Sequence, residues 1–434
     1  MSRYNQCTFL EKDLDMRVCK SRDPYRVRVY APENIDEAFK SYADNFYMAA
    51  HQIASYLLET DNTDISELDT FFFSLAFLYR HSIELILKAI AFQNIIRVQD
   101  RVQFVKATFH NLEEIFAEIE KISSVSRPQD EIDWLKEYFA SISEVDKKSD
   151  SFRYPFHIYK DDDIWGTGEY SIQRIFEKQT HIDLVKFANK FEAAYEILKL
   201  WYNNDSNVAN EWKEVSPVFL EEGGYYYGQA VVGYAYSRAD FYPYTKAYSE
   251  TAGYLRSYMQ QLFMEKKYLE AEKFFLPMCY LYRNCVELGQ KAIWFEETGV
   301  GLQTRCKVMK DNKHSIRAMW DLLKEYVISC GNGSQEDDDY VKLLEKYCYE
   351  LHDYDSDASR FRYPVNKDMV PYFGHNKWFD FAKVSKYFEG IINAFDGIDA
   401  ALNARNEYIA EMEAEYRAEM EAEYRAEMAY QDCW

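Results

Sequence analysis

Two sets of charged residues recur at the same spacing. Arg80, Glu84 and Lys88 stand four residues apart, and so do Arg283, Glu287 and Lys291. Four-residue spacing puts each trio on one face of a helix. The surrounding sequence is apolar, and a buried charge is costly unless paired or solvated. Two chemistries fit. One is a buried ion-pair network in which Glu84 clamps Arg80 and Arg153, with Arg362 as the equivalent partner in the second set. The other is a cleft that holds phosphate through the arginines. His110 and His314 each open a helix, as a cap or packing contact or as part of that cleft. The ligand-binding candidates are therefore Arg80, Glu84, Lys88, His110, Arg153, Arg283, Asn284, Glu287, Lys291, His314 and Arg362. His81 and His157 occur in the first set only, with Asn284 and Asn366 at or near their counterparts. Arg80, His81, Arg153 and His157 are the candidate catalytic set. An Arg beside a His can cleave RNA without metal: the imidazole exchanges a proton with the 2′-hydroxyl or leaving oxygen, and the guanidinium stabilises the phosphorane. No metal site or cofactor is expected. The acidic runs 161–164 and 336–339 read as a solvated loop or a helix start. Walker A, dinucleotide-fingerprint, HExxH, GxSxG and EF-hand patterns are absent from the sequence.

The elements that carry these residues are duplicated. Residues 71–90 (FFFSLAFLYRHSIELILKAI) and 274–293 (FFLPMCYLYRNCVELGQKAI) are identical at ten of twenty positions, without a gap. HNLEEIF from His110 matches HSIRAMW from His314. FRYP at 152–155 matches FRYP at 361–364. A last segment from His181 matches one from Trp378. Four landmarks in one order indicate two copies of one domain. The expected division is 1–210, 211–403 and a tail, 404–434. Each copy reads as an antiparallel helical bundle. In the first, helices are expected over 35–60, 69–96, from His110, over 130–145 and over 180–202, and the proline of FRYP interrupts the pattern. Residues 25–31 and 225–236 are β-prone and precede the first helix of each copy, as edge strands or ordered loops. In the tail, Tyr408, Met412, Tyr416, Met420, Tyr424 and Met428 recur every four residues. That stripe winds about 40° per step around a helix of 3.6 residues per turn. It suits an exposed single helix better than a heptad seam.

Composition agrees with an all-α chain. Of 434 residues, only 15 are Gly and 9 Pro, while 48% are hydrophobic, which favours long helices over many tight turns. With 51 Lys and Arg against 73 Asp and Glu, the formal charge is −22. That opposes coating of nucleic acid by a global field but leaves room for a local basic pocket. The eight cysteines are mostly scattered and form no CxxC pair, so reduced thiols and a cytoplasmic location are expected. There is no apolar leader and no run long enough for a bilayer, so no membrane partner is expected.

Each copy resembles the HEPN superfamily. The resemblance rests on the ExxxKA helix (IELILKAI, VELGQKAI), on His110 and His314 opening the next helix, on Arg153–Pro155 and Arg362–Pro364, and on a closing helix. It covers about 71–200 and 274–400. It implies four- to five-helix up-and-down bundles that pair, here as an intramolecular pseudo-dimer. It also implies a nucleotide- or RNA-binding protein of a prokaryotic anti-phage defence or toxin–antitoxin system. Many relatives are metal-independent ribonucleases with Arg, four to six residues, then His. That spacing is absent after Arg80 and Arg283, and Arg153 to His157 has three intervening residues, so any ribonuclease site here is atypical. The RYP-bearing branch is associated with nucleotidyltransferase partners. A noncatalytic scaffold for a protein partner is the alternative.

Overall fold

The computed structural model describes the chain except residues 1–8, 18, 20–24, 60–65, 123–124, 162–167, 206–209, 234–239, 332–333 and 432–434. It is predominantly helical. The first half contains α1 (Ile35–Glu59), α2 (Ser66–Asn94), α3 (Val98–Thr108), α4 (Leu112–Ile122), α5 (Gln129–Asp146) and α6 (Leu184–Asn203). The second repeats that order with α7 (Tyr242–Met264), α8 (Tyr268–Ala292), α9 (Leu302–Asn312), α10 (Ile316–Cys330), α11 (Gln335–Tyr354) and α12 (Phe381–Gln431).

The central helices are α2 and α8. Every residue of α2 from Phe71 to Phe92 is buried, as a helix apolar nearly all round must be. It packs on α1, α4 and α6 of its own half and on α7 of the other, while α8 packs reciprocally on α1. Between the halves, Phe77 stacks on Tyr280 with ring centroids 4.7 Å apart. These two rings sit at equivalent positions of the duplicated helix.

Strands form inside the β-prone segments, at Arg26–Val29 and Gln229–Val232, and their partners lie in the opposite half; residues 234–236 lie outside the described residues. β1 (Arg26–Val29) and β5 (Gln229–Val232) precede the first helix of each half. β4 (Thr180–Asp183) and β6 (Lys377–Asp380) precede the closing helices. β1 pairs antiparallel with β6, Arg26 opposite Asp380. β5 pairs antiparallel with β4, Gln229 opposite Asp183. Each half thus lends a strand to the other. Two acidic side chains fasten the exchange: Asp69 accepts from the Val231 amide at 2.6 Å, and Glu272 accepts from the Arg28 amide at 3.0 Å. A hairpin, β2 (Phe156–Lys160) with β3 (Tyr170–Arg174), follows FRYP in the first half; among the described residues the second half has at that place a single antiparallel bridge, Val365 with Pro371.

Three sequence expectations need correction. Residues 180–183 and 377–380 are strand, not the first turn of the closing helix. Asp183 and Asp380 end the strands and accept from the amides of Lys186 and Lys383, each at 3.0 Å, so the helix starts only after the cap. The hairpin was not expected at all. The tail is not a separate element, because α12 runs unbroken from Phe381 through Gln431. Its stripe is exposed, with Tyr408, Tyr416 and Tyr424 more than 60% accessible. Arg417–Glu413 and Arg425–Glu421 ion pairs lie along it. α6 instead stops at Asn204, which takes a left-handed conformation with φ 53°. No described helix is long and apolar enough to cross a membrane.

Candidate functional site

The two charged trios lie on α2 and α8, as the spacing predicts, and all six side chains are buried. Glu84 Oε2 accepts from Arg80 at 2.5 Å, and Oε1 accepts from Lys88 at 2.7 Å. The Arg80 Nε faces Asp146 at 3.1 Å, and its other terminal nitrogen bonds the His110 carbonyl. His110 Nδ1 stands 2.9 Å from Glu84 Oε1. The second half repeats each contact. Glu287 accepts from Arg283 and, at 2.7 Å, from Lys291; Arg283 faces Asp355 at 3.5 Å and bonds the His314 carbonyl at 2.6 Å; His314 Nδ1 is 3.0 Å from Glu287. The helix caps that follow are Asn111 and Ser315, one residue beyond each histidine. The histidines themselves seat the arginines through their carbonyls.

The FRYP segments cross. Tyr363, from the second half, donates to Glu84 at 2.8 Å and lies 3.2 Å from His110 Nδ1. Tyr154, from the first half, donates to Glu287 at 2.6 Å and lies 3.1 Å from His314 Nδ1. Lys88 sits 5.2 Å over the Tyr363 ring, and Lys291 4.3 Å over Tyr154. The expected clamp of Glu84 on Arg153 is therefore replaced by an exchange between halves. Arg362 faces the Glu84 cluster, where its charge reaches Lys88 and His110. Arg153 faces the Glu287 cluster, where its charge reaches Lys291 and His314.

Burial sets the protonation of these groups. It pushes the Glu84 carboxyl up, but Lys88, His110 and Arg80 together outweigh it and hold the group well below the usual carboxylate range. Glu287 is held down in the same way by Lys291, His314 and Arg283. Burial lowers Lys88 and Lys291 against the pull of their glutamates. Glu287 favours a charged His314, yet burial with Lys291 and Arg153 nearby prevails and lowers it to about 4. Both helix-opening histidines are half-buried, so each cluster meets solvent there as a neutral imidazole.

The four catalytic candidates do not come together as one set. His81 is fully buried, stacks on Phe77, and has Nε2 3.2 Å from the Arg362 carbonyl. Burial holds it neutral, well below the usual histidine range. Asn284, its equivalent, is also fully buried, and its Oδ1 accepts from Tyr280 at 3.4 Å. His157 lies on β2 with Nδ1 3.5 Å from Asp150, which raises its pKa. Arg80 belongs to one cluster and Arg153 to the other. The residues missed in the sequence are Tyr154, Tyr363, Asp146 and Asp355. Their signal was present: the tyrosines lie within FRYP, and an aspartate precedes each FRYP by six residues.

Residues 162–164 of the first acidic run lie outside the described residues. The second run starts α11, where Ser334 and Asp337 form a capping box. Among the described residues no group of His, Cys, Asp and Glu could hold a metal ion. No family model, curated protein or solved structure matches this chain.

Proposed function

We propose that the chain is an HEPN-like intramolecular pseudo-dimer that binds a nucleotide at two composite sites. The observation that carries this reading is the crossed tyrosine pair. Tyr154 and Tyr363 join the recurring RYP residues of one half to the Arg–Glu–Lys–His cluster of the other. Two cavities lie beside the prolines of the RYP segments, and their walls are made by residues outside the charged clusters. One of about 700 Å³ borders Pro364, with Tyr30, Tyr47, Lys40 and Lys273 in its wall. Another of about 550 Å³ borders Pro155, with Tyr242, Tyr244, Arg174 and Lys246. These volumes suit a nucleotide; the walls bring tyrosine rings beside cations and also beside carboxylates, with Lys40 paired to Asp44 and Arg174 to Asp240. Among the described residues the clusters meet solvent at the half-buried histidines and at Tyr154, narrow openings that favour a small ligand over an RNA strand. On the resemblance alone, the proposed setting is a defence or toxin–antitoxin system, with a nucleotidyltransferase as the proposed kind of protein partner.

Equilibrium binding of nucleoside triphosphates and of a short single-stranded RNA tests this reading. Wild type should bind the nucleotide more tightly than the RNA, and Lys88→Met with Lys291→Met should weaken it by about tenfold or more. Tighter RNA binding, or RNA cleavage in EDTA that His157→Ala abolishes, would replace it with the RNA reading. Absence of both ligands would favour the scaffold, a reading supported by the ion pairs that fully buried Arg80 and Arg283 make with Glu84 and Glu287.

A further inference from the structure

A third cavity lies apart from both charged clusters. It holds about 600 Å³ in the groove between α7 and the first turns of α12, over Tyr282 of α8. Arg256 and Lys386 stand in its wall with Glu250 and Glu389, so the formal charges cancel. Glu389 accepts from Tyr282 at 3.1 Å and pairs with Arg256 at 2.9 Å. The first half repeats these contacts: Glu192 accepts from Tyr79 at 2.9 Å and stands 2.8 Å from His51 Nδ1. Arg256 is therefore equivalent to His51, and Glu389 to Glu192.

Counting along the helices from these residues, Ala252, Gly253, Ser385 and Ile392 take the places of Tyr47, Met48, Ala188 and Tyr195. Tyr47 and Tyr195 stack across the first groove with ring centroids 4.0 Å apart. The second groove has no ring at either place, and a Cβ on Gly253 would meet nothing within 4 Å. Two polar groups in this wall are unpaired. Ser385 is only 4% exposed and its hydroxyl has no hydrogen-bond partner; Arg256 Nε has none either. An unpaired buried donor is costly, and Ala188 spares the first half that cost. Packing alone therefore does not account for a serine here.

We propose that this groove binds a neutral, hydroxyl-rich ring ligand of the saccharide class. A wall whose charges cancel gives no preference to an ion. Arg256 beside Glu389 sets donors next to an acceptor, an arrangement that neighbouring sugar hydroxyls satisfy together. Ser249 and Ser385 carry hydroxyls that both donate and accept, and Tyr254 and Phe381 offer rings to the C–H faces of a sugar. The volume admits a monosaccharide or a disaccharide. The site is separate from the nucleotide cavities, and either reading stands without the other.

The test titrates the full chain by calorimetry with glucose, galactose, ribose and maltose as probes. At least one should bind saturably, with a dissociation constant of about 1 mM or tighter. Gly253→Met puts the first half's residue into open space, and should abolish binding while the thermal midpoint stays unchanged. Ser385→Ala also copies the first half. It should weaken binding by about tenfold, while the ligand-free midpoint holds or rises because an unpaired hydroxyl is removed. Should Gly253→Met fail to fold, Ser385→Ala decides by itself. The proposal is overturned if no probe binds saturably at about 10 mM, or if binding is unchanged in either folded variant. A lower ligand-free midpoint in Ser385→Ala overturns it too, since the hydroxyl would then serve packing. Displacement of the sugar by inorganic phosphate at lower concentration would show that the groove takes anions, and overturns the neutral class.

Discussion

The two halves of this protein keep one polar cluster each, and the clusters match contact for contact. Around them the halves have diverged. The first half has a hairpin after FRYP, a His157–Asp150 pair, and a closing helix that ends at Asn204. The second has Ser359 in place of Asp150 and a closing helix that runs on to Gln431. Surface elements changed while the charges of the paired clusters did not. A physical constraint accounts for this. Removing one member of a buried, hydrogen-bonded ion cluster strands the rest, whereas a loop or an exposed helix turn changes at little cost. The crossed tyrosines extend the constraint, since neither cluster is complete without a residue from the other half.

The largest effect should come from the glutamates at the cluster centres. Glu84→Ala leaves buried cations without their shared acceptor and should cost about 3–5 kcal/mol. Glu287→Ala should cost the same within error, as read from urea unfolding midpoints. A marked difference between them would break the equivalence of the halves. Acid sensitivity comes next. His314 binds a proton near pH 6.5 when unfolded but only near 4 when folded, so the unfolded state holds more protons between these values. Stability should therefore fall as pH drops from about 6.5 towards 4. His314→Asn should flatten that slope, and His110→Asn should act in the same direction, because burial lowers its pKa too.

Smaller effects sharpen the crossing. Tyr363→Phe should cost about 1–2 kcal/mol through its lost hydrogen bond to Glu84, and Tyr154→Phe should match it. In double-mutant cycles Tyr363→Phe should couple to Glu84→Gln and add independently to Glu287→Gln. The opposite pattern would mean that the tyrosines serve their own halves. The smallest effect belongs to His157. Its pairing with Asp150 raises its pKa above 6.5. The pair therefore stabilises below that pH and loses its contribution as pH rises through the folded value. His157→Asn makes the first half resemble the second and should cost under about 1 kcal/mol, visible only on the acid side of the transition.

The duplication, the helical class and the membership of each charged trio in one helix face follow from residue identity and spacing alone. Periodicity is a local property, and the ten identities between 71–90 and 274–293 carry it twice. The β-prone character of 25–31 and 225–236 was also legible. Local sequence does not specify a partner, however. Strands before α6 and α12 were hidden because Thr180–Asp183 and Lys377–Asp380 acquire their backbone partners from the opposite half. Arg153 was matched to Glu84 within one copy, whereas chain folding delivers Tyr363 and Arg362 there. Only tertiary structure decided which copy completes which cluster. Hydrogen bonds and ion pairs act over a few ångströms in space, and sequence distance (279 residues from Glu84 to Tyr363) places no limit on them once the strands are exchanged.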